Sequence, residues 1–108
     1  MGFPSGYFVS SRSGRLQVTF SGKWSVSNTD PVLNNGNWEL TLRCIVGEGP
    51  DRLTATMNLT NNTAVIERDY PGGGAAVFVG IELVGYTLGG AGSISARKLR
   101  VRCRLYKK

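Results

Sequence analysis

Trp38, Leu40, Leu42, Cys44 and Val46 alternate with Glu39, Thr41 and Arg43 along one short stretch of the chain, with Ile45 as the single apolar residue out of phase. A period of two puts the apolar set on one face of an extended strand and the polar set on the other. The same period returns elsewhere. Leu16, Val18 and Phe20 alternate with Arg15, Gln17 and Thr19, and Leu53, Ala55, Met57 and Leu59 alternate with Arg52, Thr54, Thr56 and Asn58. No ten-residue window repeats apolar side chains at the spacing of a helix face. The chain is therefore constrained to pack sheet against sheet.

Turn signals separate the apolar runs. Ser11-Arg12-Ser13-Gly14, Gly47-Glu48-Gly49-Pro50-Asp51, Asn61-Asn62, Tyr70-Pro71-Gly72-Gly73-Gly74 and Gly89-Gly90-Ala91-Gly92 all carry turn-forming residue types. Gly22 interrupts the apolar alternation between Phe20 and Trp24, which predicts a bulge or sharp bend. Counting Ser5–Ser10 as an edge strand, about eight strands follow. Leu53–Leu59 reads as the hairpin partner of the strand that ends at Val46. Ala75–Leu88 is apolar at both parities, the pattern of a strand covered on both sides, and Ser93–Tyr106 returns from it. The expected fold is a single all-β domain over residues 1–108, an antiparallel sandwich with jelly-roll character, with a small barrel as the alternative.

The catalytic inventory is thin. The 108 residues contain no histidine, which removes the commonest general base, the serine and cysteine triads and most zinc sites. The seven carboxylates lie mainly in turns or near strand ends. Gly72-Gly73-Gly74 is not followed by the Lys-Ser/Thr step of a phosphate loop. Cys44 and Cys103 have no metal-ligand spacing and read as two small apolar residues, with a single disulfide as the alternative. No catalytic residue, metal ligand or cofactor site is expected. Two glycosylation sequons, at Asn58 and Asn61, read as chance matches in a turn rich in Asn and Thr. No secretory leader is expected from the first residues, and no apolar run reaches the ~18 residues of a membrane-crossing helix.

Charge is where the sequence is sharpest. Of 13 basic residues, Arg97, Lys98, Arg100, Arg102, Arg104, Lys107 and Lys108 fall in the last 12 positions, which hold no carboxylate. The whole excess of +6 comes from that segment. Inside it Leu99, Val101, Cys103 and Leu105 share one parity, and Lys98, Arg100, Arg102 and Arg104 the other, followed by Tyr106. Side chains two apart on a strand point the same way at roughly 6–7 Å. This predicts a cationic ladder with an apolar reverse side.

Lys98, Arg100, Arg102, Arg104, Tyr106, Lys107 and Lys108 are thus the candidate partner- or anion-binding residues. Three roles compete for them: protection of an exposed strand against edge-to-edge pairing, contact with nucleic acid, and contact with an acidic protein surface. Trp24 and Trp38 fall on apolar strand faces and read as core. A core or loop-anchoring role is the main expectation for Phe3, Tyr7, Phe8 and Tyr70. The alternatives are a docking arm for the first three and a binding tip, for sugar or protein, for Tyr70. The expectation is a non-catalytic structural or interaction protein, a subunit of a larger assembly such as a viral or phage particle. Its partners would be proteins or further copies of itself. A nucleic-acid-binding domain and a carbohydrate-binding module are the alternatives.

Overall fold

The computed structural model describes residues 3–28, 39–87 and 92–107. Trp38, Lys108 and the turn at 89–91 lie outside that set. Seven strands are present among the described residues: β1 (Ser5–Val9), β2 (Gly14–Asn28), β3 (Glu39–Val46), β4 (Leu53–Asn58), β5 (Thr63–Tyr70), β6 (Ala76–Thr87) and β7 (Gly92–Tyr106). They form two antiparallel sheets, of order β1-β6-β3-β4 and β5-β2-β7. The chain crosses from one sheet to the other at every connection except β3–β4. Among the described residues the two sheets make an antiparallel β-sandwich, four strands on one side and three on the other.

The irregularity expected at Gly22 is present as a bulge: the strand runs on through it, and the register of the β2–β7 ladder shifts between Ser21 and Lys23. One pairing changes. Ser93–Tyr106 does not return against Ala75–Leu88: β6 and β7 lie in different sheets, and β7 pairs with β2. Leu53–Leu59 does pair with the strand before it, β4 against β3.

The core lies between the sheets. Leu16, Val18 and Phe20 of β2 face Leu42, Cys44, Val46, Met57, Ile66, Val77, Val79 and Ile81, all buried. Each set shares one parity on its strand, as a period of two requires. Ile45, the out-of-phase residue of β3, is also buried, at 6 % exposure. It sits on the outer side of the four-stranded sheet, in a depression shared with Tyr7 and Phe78. The double-sided burial expected of Ala75–Leu88 holds only for its first half. Beyond Ile81, Leu83, Val84 and Tyr86 are exposed, and a register shift opposite Thr41 and Leu42 makes Val84 the extra residue of a second bulge.

β2 and β7 each have 15 residues, whereas β5 covers only Gly14–Ser21 of β2. The remainder runs on as a two-stranded ribbon, which explains the 57 × 24 × 21 Å extents. At the other end Tyr70 closes the sandwich. It is 1 % exposed, and its ring meets Phe8 edge-on at 5.0 Å. Its hydroxyl accepts from the Ser10 N–H at 2.7 Å and shares its proton between the carbonyls of Ala75, at 2.6 Å, and Ser10, at 2.9 Å. Gly72, at φ 78°, lets the loop pass so close to Ser13 that a Cβ would lie 2.7 Å from its nitrogen. The Asn58 side-chain oxygen caps the β4–β5 turn by accepting from the N–H groups of Thr60 and Asn61.

Candidate functional site

β7 forms one edge of the three-stranded sheet, with β2 on one side and no strand on the other among the described residues. Its pairing with β2 sets which way each side chain points. Leu105, Cys103 and Val101 stand opposite Leu16, Val18 and Phe20 and share their inward face, whereas Arg104, Arg102 and Arg100 stand opposite Gln17, Thr19 and Ser21 and face outward. The predicted ladder therefore exists at these three arginines, each exposed.

The bulge alters its far end. Between Ser21 and Lys23, β2 supplies Gly22 alone, while β7 supplies both Lys98 and Leu99. Lys98 adopts φ 52°, the left-handed region that few residues other than glycine occupy. The extra residue reverses the parity of β7, so Arg97, opposite Lys23, takes the next outward position. Lys98 is exposed but sits at the bulge rather than in the row. Sequence parity alone placed Lys98 in the ladder and left Arg97 out, although Gly22 carried the signal of the reversal.

Tyr106 continues the outward row. The Arg104 guanidinium carbon lies 5.2 Å from the Tyr106 ring centroid, within cation–π range, and the Tyr106 hydroxyl donates to Gln17 Oε1 at 3.3 Å. Lys107 is exposed at the strand's end, and Lys108 lies outside the described residues. The outer face of this sheet is graded in charge. β7 presents arginines, β2 between them mostly Ser21, Thr19 and Gln17, and β5 presents Glu67 and Asp69 opposite Gln17 and Arg15. Asp69 is bound to Arg15 at 3.2 Å. Among the described residues no carboxylate lies within ion-pair distance of Arg97, Arg100, Arg102 or Arg104.

The reverse side of β7 was not legible as a site. Leu99, Val101, Cys103 and Leu105 are only partly buried, whereas their partners Leu16, Val18 and Phe20 are completely so. β1 and β7 are the corresponding edges of the two sheets, and between them runs a mainly apolar groove of about 240 Å3 into which Val101 and Cys103 look. Burial pushes the Cys103 thiol above its ordinary range and the fully enclosed Cys44 thiol up to about 11. Both thiols are free, so the two cysteines are unbridged.

The other candidates separate. Tyr70 is an interior anchor and cannot serve as a sugar-binding tip, and Trp24 packs against the core. Phe8 belongs to the interior side of β1, while Tyr7 is 61 % exposed on its outer side, edge-on to Phe78 at 5.7 Å. A hydrogen bond to Glu48 raises the Tyr7 phenol above its ordinary range. The described residues contain no group of three potential metal ligands and no helix long and apolar enough to cross a membrane. No protein-family model matches the chain, and neither a curated protein nor a solved structure shows significant similarity to it.

Proposed function

We propose that this domain is a non-catalytic interaction subunit of a larger assembly, such as a viral or phage particle, and that β7 carries its contact with an acidic protein surface. The observation that supports this reading most is the outward row Arg97, Arg100, Arg102 and Arg104 on an edge strand, with no carboxylate within ion-pair distance among the described residues. Unit charges roughly 6–7 Å apart repel by about 0.6 kcal/mol even at the dielectric of water. An acidic surface relieves that repulsion and gains orientation from it. Sandwiches, jelly rolls among them, serve as capsid, lectin and cupin domains, so the fold by itself selects none of these, and the charged edge carries the choice.

The test is binding to surface-immobilised poly-L-glutamate, followed by biosensor from 50 to 300 mM NaCl. The expected result is an affinity that falls steeply with salt and is lost in R100A/R102A/R104A. Absence of binding at 50 mM NaCl would overturn the proposal.

Nucleic acid is the second reading, favoured by the Arg104–Tyr106 pair, which joins a phosphate-binding cation to an aromatic platform. A twelve-nucleotide oligothymidylate distinguishes the two. Competition with poly-L-glutamate, together with loss of affinity in Tyr106→Ala, supports nucleic acid. Indifference to the oligonucleotide removes it.

A further inference from the structure

We propose that β7, beyond which no strand lies among the described residues, accepts an extended segment of a partner protein as an added strand, and that this segment alternates acidic with apolar residues. The inference rests on the reading of β7 as the contact strand and adds the form of the partner. Three independent features converge on it.

The first is the edge itself. Among the described residues β7 has β2 on one side and no strand on the other. An edge strand directs the N–H and C=O of every second residue away from its neighbour, a ready template for another chain.

The second is the groove. A strand placed beside β7 covers the space between β1 and β7 that Pro4, Gly6, Phe8, Val79, Val101 and Cys103 line. Its inward side chains, alternate along its length, enter that apolar space, and only apolar ones are accommodated without loss of hydration. An edge whose only need was protection from aggregation would have no use for a half-open apolar reverse side.

The third is the charge. Residues opposite each other on paired strands have Cβ atoms roughly 4.5–5.5 Å apart. The outward side chains of the incoming strand therefore stand beside Arg100, Arg102 and Arg104. Carboxylates are favoured there and cations opposed. A second copy of β7 would set arginine against arginine, which disfavours self-pairing and selects a different chain. Together these give the mode of strand addition in which main-chain hydrogen bonds supply affinity and alternate side chains supply specificity.

The experiment uses the whole chain and fluorescein-labelled synthetic peptides, read by polarisation and by residue-resolved amide exchange. The probes are Glu-Val-Glu-Val-Glu-Val-Glu, the same peptide with its central Val replaced by Pro, and Lys-Val-Lys-Val-Lys-Val-Lys. The first should bind, protect amides in 99–106, and slow maleimide labelling of Cys103. The proline should weaken binding at least tenfold, and the lysine peptide should not bind. R100E/R102E/R104E alters only exposed side chains, so it is expected to fold, as circular dichroism can verify. It should exchange the preference, losing the acidic peptide and gaining the basic one. Binding indifferent to the proline, with no protection of 99–106, overturns strand addition while leaving the acidic contact of β7 standing. No binding of the acidic peptide or of poly-L-glutamate at 50 mM NaCl overturns both.

Discussion

Gly22 of β2 lies against Leu99 of β7 so closely that a Cβ on the glycine would stand 2.8 Å from Leu99 Cδ2 and 3.1 Å from the Trp24 ring. This contact marks the bulge at which β7 reverses its parity, so it decides which cations join the outward row. Gly22→Ala must displace Leu99 Cδ2, the free end of a flexible side chain, and crowds the edge of the Trp24 ring. It is therefore expected to cost about 1 kcal/mol, the low end for overpacking, measured by urea denaturation. A neutral substitution would show that the contact is slack.

Tyr70 ties the β5–β6 loop to the end of β1 through one hydroxyl that meets three backbone groups. Tyr70→Phe keeps the ring against Phe8 and leaves the Ser10 N–H and two carbonyls to find other partners. A loss of about 1–3 kcal/mol follows. It should appear as a lower denaturation midpoint at unchanged m-value, since the compactness of the unfolded chain is not altered.

The alternation of β2, β3 and β4 made the sheets and most of the core legible from residue types alone, because a period of two assigns faces without knowledge of neighbours. Arg100, Arg102 and Arg104 were legible for the same reason. Strand order was not, since no local pattern states that β7 pairs with β2 rather than β6. The half-open state of Val101 and Cys103 depends on that order, and so was invisible. Tyr70 was legible as a core or loop anchor, but not its partners: the three backbone groups that hold its hydroxyl come from Ser10 and Ala75, which no local pattern brings together.

Removal of one charge from the outward row should stabilise the free protein. Arg102 stands between Arg100 and Arg104, with no carboxylate in ion-pair range among the described residues. Arg102→Gln is expected to gain about 0.5–1 kcal/mol at low ionic strength and nothing at 1 M NaCl, where charges are screened within about 3 Å. Destabilisation at low salt would mean that Arg102 has an anionic partner in the domain itself.

The two thiols should differ in reactivity and in their link to stability. Cys103 looks into the groove and Cys44 is sealed in the core, so native-state maleimide labelling is expected at Cys103 alone. Cys44 is held protonated up to about 11 when folded, against an ordinary value of 9.0. A raised folded-state value means the folded form keeps its proton longer. That contribution is complete below pH 9 and is lost as pH rises from 9 to about 11. Cys44→Val, which fills similar space without ionising, should show a shallower decline across that window in chemical denaturation.

The claim that β7 is an open, partner-seeking edge is tested most directly by residue-resolved amide exchange on the free protein. Amides of 99–106 that bond to β2 should be protected like those of β2, and the alternate amides, which point away from it, should exchange at rates near those of an unstructured peptide. Uniform protection of both sets would show the edge already covered and would contradict the proposed role of β7.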